Sequence, residues 1–185
     1  MQQAIAAVSV SRRGDRSVLD LALRRLTGAA DLQEMLAGIQ PPLSDLGELL
    51  TDTCNAALRA AGATSAIQLH INAPSLLTNS RAARPILMIA AELVTNSVRH
   101  AFPDKRGNIV VVMADDGHEA RLTVEDNGTC LGWRREGGQG ANIVDDLARA
   151  MGGGVRRIVN KSGSSRVVVS LPTVAAAAIE PAGAA

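Results

Sequence analysis

The sequence predicts an α+β fold, a two-layer sandwich with helices on one face of a mixed sheet, preceded by an N-terminal helical hairpin. Three observations carry this expectation. Apolar residues recur at three-to-four spacing from Val18 to Leu58, as on amphipathic helices. Beyond Gly62 the apolar residues fall in short alternating or valine-rich runs, as in strands. Two helical stretches, 84–100 and 141–151, interrupt those runs and give the order strand, helix, strand, strand, helix, strand, strand.

Residues 2–38 read as helix with a turn at 11–15 around Gly14. Val18, Leu19, Ala22, Leu23 and Leu26 form a stripe that Leu32, Met35 and Leu36 resume. Gln40-Pro41-Pro42 ends the segment, because proline lacks an N–H and disfavours helix in the residue before it. A second helix starts near Ser44, the expected cap, with Asp45 and Glu48 in a first turn where the helix dipole favours negative charge. Leu46, Leu49, Leu50, Thr53, Cys54, Ala57 and Leu58 make its apolar face, and Gly62 is placed to close it.

Residues 66–71 alternate as a half-buried strand does. In 84–100, Ile86, Ile89, Ala90, Leu93 and Val94 share one helical face. Strands 108–114 and 120–125 flank Asp115-Asp116-Gly117, which has hairpin-turn chemistry. Helix 141–151 ends at Gly152-Gly153-Gly154, and strands 155–159 and 166–171 follow, with a turn near Lys161-Ser162-Gly163. The expected units are a helical dimerisation hairpin over 1–62, a compact domain over 63–174 and a disordered alanine-rich tail over 175–185.

Composition narrows the function classes. Nineteen basic and eighteen acidic residues leave a formal charge of +1, which gives no electrostatic reason to expect nucleic acid or an anionic membrane as partner. Phe102 and Trp133 are the only aromatic residues, so base-stacking platforms are not expected and the core must be aliphatic. Cys54 and Cys130 lie far apart, outside any disulfide framework or zinc spacing, and fit a reducing cytoplasm. No apolar run is long enough to suggest a transmembrane helix, and the N-terminus does not read as a signal peptide.

Three clusters carry chemistry. In Glu92-Leu-Val-Thr-Asn96-Ser-Val-Arg99-His100, Glu92, Asn96 and Arg99 or His100 lie on one helical face. A carboxylate and an amide oxygen suit hard Mg²⁺, and the cation suits phosphate; the plainer alternative is an ordinary polar helix face. Asp126-Asn127-Gly128 ends a strand, where an acceptor carboxylate can accept a hydrogen bond from an exocyclic amine and glycine admits a ligand close to the backbone. The plainer alternative there is a simple turn. Gly137-Gly138-Gln139-Gly140 opens a helix whose free N–H groups and dipole suit phosphate, against the alternative of a flexible loop before a helix.

In their order and spacing these clusters resemble the ATPase fold shared by histidine kinases, the gyrase and heat-shock-90 ATPases and the anti-sigma-factor kinases, the GHKL-type superfamily. Glu92 to His100 resembles the family's N box, Asp126-Asn127-Gly128 the start of its G1 box, and Gly138-Gln139-Gly140 its G2 box. Gly163-Ser-Ser165-Arg followed by three valines is similar to its closing Gly-Gly-Thr strand. The wording of residues 92–103 most resembles histidine kinases related to the light- and stress-responsive ones. The resemblance implies ATP and Mg²⁺ as cofactors, with Glu92 polarising the attacking group, Asn96 ligating Mg²⁺ and Arg99 or His100 touching phosphate. It further implies that Asp126 accepts from the adenine amine with help from Ser165, that Gly128 belongs to the base pocket, and that Gly138 and Gly140 let a lid fold over the phosphates.

The chain departs from that pattern at three places. Cys130 stands where the G1 box has its second glycine, the segment between Asp126 and Gly138 is short, and the helical segment has no histidine to accept a phosphoryl group. His70 falls in a strand and His118 in a hairpin turn, both ordinary surface settings. The resemblance therefore implies the ATP-binding module of a sensor histidine kinase, homodimeric through its N-terminal helices and partnered by a response regulator or phosphotransfer protein. The departures leave open a degenerate kinase-like scaffold that binds a regulator without hydrolysing ATP. An anti-sigma-factor serine kinase is the third reading, disfavoured by the helical N-terminal segment.

Overall fold

The computed structural model describes residues 43–129, 139–161 and 163–174. The first helical segment, the turn at Gly14 and the tail over 175–185 lie outside the described residues. The elements are β1 (Ser44–Asp45), α1 (Leu46–Ala60), β2 (Ile67–Asn72), β3 (Leu77–Thr78), α2 (Ser80–His100), β4 (Gly107–Asp115), β5 (Glu119–Asp126), α3 (Gln139–Ala150), β6 (Gly154–Val159) and β7 (Ser165–Pro172). The five longer strands form one mixed sheet in the order β2-β4-β5-β7-β6. Only β2 and β4 run parallel, as the intervening helix α2 requires; the other neighbours are antiparallel.

Register aligns the apolar positions into rows. Val111, Val124 and Val167 face one another across three strands, and Met113, Leu122 and Val169 make the next row. All six are buried, so one face of the sheet is a continuous apolar surface. The helices cover it with Leu46, Leu50, Ile86, Leu87, Ile89, Leu93, Val94 and Val144, each wholly buried. Burial of each of these side chains stabilises by about 1.5–3 kcal/mol relative to exposure. The opposite face keeps Gln68, His70, Arg121 and Arg166 exposed, which is the alternation expected of a sheet covered on one side.

Both glycine-terminated helices end in the same way. Gly62 has a φ of 74° and Gly152 a φ of 77°, the left-handed conformation that lets a chain leave a helix. Gly62 N–H donates to Arg59 and Ala63 N–H to Leu58; Gly152 N–H donates to Arg149 and Gly153 N–H to Ala148. This paired closure satisfies carbonyls that the last turn leaves free. The β4–β5 turn at Asp116-Gly117 also forms, with Gly117 at a φ of 85°.

Two boundaries differ from the sequence expectation. Asp45, not Ser44, caps α1: its Oδ1 accepts from Gly47 N–H at 2.7 Å and Glu48 N–H at 3.3 Å. Ser44 is drawn instead into a two-residue antiparallel ladder with Thr78, β1 against β3. Helix α2 begins at Ser80, four residues before Arg84, because the Asn79 side chain accepts from Ala82 N–H and nucleates a turn upstream of Pro85. Pro85 lies inside the helix and forgoes one backbone bond there.

The Asp45 carboxyl lies below its ordinary pKa. The Ser75 hydroxyl is the largest cause; burial opposes it, and the N–H groups of Gly47, Glu48 and Leu76 add to it. A carboxylate with a lowered folded-state pKa stabilises fully above its unfolded value and loses that contribution as pH falls through the folded value. Loss of the cap in Asp45→Ala should lower the unfolding free energy by about 0.5–2 kcal/mol at neutral pH, the usual scale for an N-cap. Urea titrations of the two proteins should converge as pH drops below the ordinary aspartate range.

Candidate functional site

The last inward-facing row of the sheet breaks the apolar pattern. Ile109 pairs with Asp126, and Asp126 pairs with Ser165, so a carboxylate and a hydroxyl stand side by side where the row above holds valines. Asp126 is 1% exposed and Ser165 3%. A buried carboxylate is costly unless its lone pairs are filled. Here Ser165 Oγ donates to Asp126 Oδ2 at 2.5 Å, Ser97 Oγ donates to the same oxygen at 3.1 Å, and Gly128 N–H donates to Oδ1 at 3.1 Å. Three elements, α2, β7 and the turn after β5, thus converge on one side chain.

Ser97 was not singled out from the sequence. It occupies the apolar stripe of α2, four residues after Leu93 and four before Ala101, both wholly buried. A hydroxyl at a core position of a helix requires a partner, and that was the signal that could have found it.

The site residues expected on this helix lie on the adjoining face of α2. Glu92 and Asn96 are half-buried one turn apart; Arg99 and His100 are exposed in the last turn. That arrangement places an oxygen-donor pair and a cationic end on the helix that also carries Ser97. The last turn favours cations because of the helix dipole.

Gly128 has a reason of its own that differs from the expected approach of a ligand. A Cβ built there would lie 2.2 Å from the Ala101 carbonyl oxygen. The glycine lets the chain after β5 pass against the C-terminus of α2, where Thr129 N–H donates to Ala101 at 3.0 Å. Asn127 fastens the same turn to β4: its Oδ1 accepts from Asn108 N–H at 2.7 Å.

Gly140 lies in the first turn of α3, whose N-terminal N–H groups are the anion-favouring end of that helix. Gly138, Cys130 and Trp133 lie outside the described residues. Arg157 on β6 bonds Asp145 of α3 at 2.9 Å and ties that helix to the sheet edge. Among the described residues no group of three His, Cys, Asp or Glu side chains could hold a metal by itself. Any divalent cation at this site would draw its remaining ligands from a bound phosphate and water. Among the same residues no helix is long and apolar enough to cross a membrane.

An open groove of about 530 Å³ lies elsewhere, lined by Asp45, Glu48, Asp52 and Ser75 beside the start of α1. Its three carboxylates would repel a polyphosphate, so its size does not make it a competing nucleotide site.

Residues 81–175 match the family model described as histidine kinase-, DNA gyrase B- and HSP90-like ATPase. A blue-light-activated histidine kinase of Erythrobacter litoralis is 31% identical over a match covering 51% of this chain and 31% of that protein. The nitrate/nitrite sensor NarX of Escherichia coli is 30% identical, over 56% of this chain and 17% of that protein. The chain thus spans a third or less of the length of these curated relatives. The solved histidine kinase domain of the blue-light-activated kinase from Erythrobacter litoralis EL346 superposes with a TM-score of 0.67 at 26% identity, covering 84% of this chain and 75% of that one.

The contact between Gly128 and Ala101 supplies a stability test. Gly128→Ala should destabilise the domain by about 1–3 kcal/mol, the usual scale of overpacking, read by chemical denaturation. An unchanged midpoint would show that the turn can move away from α2 freely.

Proposed function

Because the chain belongs to the histidine kinase-, DNA gyrase B- and HSP90-like ATPase family, we propose that it is the ATP-binding catalytic module of a two-component sensor histidine kinase. The observation that carries this reading is the buried Asp126, held by Ser97, Ser165 and Gly128 beside the helix that bears Glu92 and Asn96. The residues fit Mg-ATP. Asp126 offers an acceptor to the adenine amine, Asn96 offers an amide oxygen to Mg²⁺, and Arg99 or His100 offers positive charge to phosphate. Gly138 and Gly140 flank the helix start that would face the phosphates. Bound Mg²⁺ would supply charge neutralisation on the β- and γ-phosphate oxygens.

In this reading Glu92 polarises the attacking imidazole. The γ-phosphorus forms a bond to the imidazole nitrogen while its bond to the β-bridging oxygen breaks, and ADP leaves. The acceptor histidine is not one of the domain's own. His70 is exposed on the edge strand β2, and His118 sits in the β4–β5 turn, at the end of β5 opposite Asp126. His100 is one of the two residues, with Arg99, that this reading offers to phosphate. Because the three histidines of the sequence all lie in the domain, the acceptor would stand on a partner phosphotransfer protein, which would pass the phosphoryl group on to a response regulator, while the N-terminal helices would pair two copies of the chain.

Calorimetric titration tests the reading. Wild type should bind ATP with an affinity that rises on adding Mg²⁺. Asn96→Ala should remove most of the Mg²⁺ dependence, and Asp126→Asn should weaken ATP by about tenfold or more with or without metal, as expected for a lost bond to a charged acceptor. Absence of binding at millimolar ATP would discard the proposal in favour of a scaffold that docks a regulator.

Light scattering tests the assembly. The chain should run at twice its monomer mass, and removal of residues 1–42 should return it to a monomer. A monomeric full chain at working concentration would remove the dimer from the reading.

A further inference from the structure

We propose that Ser97 is a positioning residue for nucleotide-base selection, a role that rests on the ATP-binding reading above. The argument begins with the lone pairs of Asp126. A carboxylate has about four acceptor sites, two on each oxygen. Ser97 and Ser165 both donate to Oδ2, and Gly128 N–H occupies one site on Oδ1. The remaining site is on Oδ1, so a base amine must be met there. Without Ser97, Oδ2 keeps a single side-chain donor, and the carboxyl plane is held only by Ser165 on one oxygen and Gly128 N–H on the other.

The position of Ser97 adds a second consequence. It follows Asn96 directly, and adjacent residues on a helix point about 100° apart. Asn96 lies half-buried on the face that carries Glu92, and Ser97 is 2% exposed on the face toward the sheet. The Ser97 hydroxyl therefore fixes the rotation and depth of α2 against Asp126. One bond thereby holds the base-recognising carboxylate and the metal-facing amide in a set relation.

Base selectivity separates this role from simple packing. Wild type, Ser97→Ala, Ser97→Thr and Ser97→Cys are titrated with ATP and with purine riboside triphosphate, which lacks the 6-amino group. Thermal unfolding of each variant is recorded alongside. Wild type should prefer ATP. Ser97→Ala should weaken ATP by about tenfold, the scale of one hydrogen bond to a carboxylate, and leave purine riboside triphosphate nearly unchanged, so that the preference collapses. Ser97→Thr keeps the hydroxyl and should restore the preference. Ser97→Cys, close in size but a weak donor, should lose most of it, and it carries the test alone if Ser97→Ala does not fold. Equal losses for the two nucleotides, or an unchanged ATP affinity, would overturn the assignment and leave the ATP-binding reading standing. A wild-type chain that binds neither nucleotide would overturn both.

Discussion

The burial of one carboxylate organises this domain. Asp126 sits at the end of the sheet's inward face, where the fold would otherwise place another aliphatic side chain. An unpaired carboxylate at 1% exposure would cost more than the stability of a typical contact. The structure meets that demand from three directions, with hydroxyls on α2 and β7 and a backbone N–H in the turn after β5. Each of those elements is thereby held in place by the group it satisfies. The site is an outcome of completing the core at a polar position rather than a feature attached to a finished fold.

The Gly128 turn makes this arrangement possible. It must both donate to Asp126 and pass against the end of α2, where a Cβ would meet the Ala101 carbonyl. Phe102 continues the same junction: a Cβ at Gly107 would lie 2.1 Å from its ring. Two glycines thus permit the C-terminus of α2 to seat against the strands that carry the site. Asn127 closes the junction from the other side by extending the β4 ladder. The helix bearing Glu92 and Asn96 is thus seated at its C-terminus by close backbone packing as well as by the Ser97 hydroxyl, and the face that carries those two residues is left half-buried and polar.

Much of this was legible in the sequence because it follows from period and turn chemistry. The valine-rich run 108–114 and the alternation in 120–125 identified β4 and β5, and glycines at 62 and 152 identified both helix ends. The boundaries that failed did so for local reasons. Pro85 argues against helix before it, yet Asn79 supplies a cap one turn and a half upstream and outweighs the lost bond. Ser44 and Asp45 are both good caps in isolation, and the choice was made by the ladder that Ser44 forms with Thr78, a partner 34 residues distant in a segment with no strand-like run. In the site, Asp126 and Ser165 were identified through family resemblance, and register then set them side by side. Ser97 was missed because polar residues in an N-box helix are read as functional only when they lie on its polar face.

Helix polarity adds a constraint on where a triphosphate can lie. Arg99 and His100 sit in the last turn of α2, the negative end of its dipole, which favours cations and does nothing to hold phosphate. Anion stabilisation must then come from those two side chains and from the start of α3, where free N–H groups carry the positive end of a second dipole. The carboxylates of Asp45, Glu48 and Asp52 lie by the start of α1, near where α2 begins. The 21 residues of α2 span about 30 Å, so that acidic region is remote from the cationic end. Under the proposed reading the phosphates are therefore drawn to the Arg99 and His100 side chains and to the start of α3. Arg157 holds α3 to β6 through Asp145, so the helix start that must favour the phosphates is braced by an ion pair at its own second turn. Under that reading a base seated on Asp126 would have the half-buried Asn96 and Glu92 on the same helix whose Ser97 donates to its carboxylate.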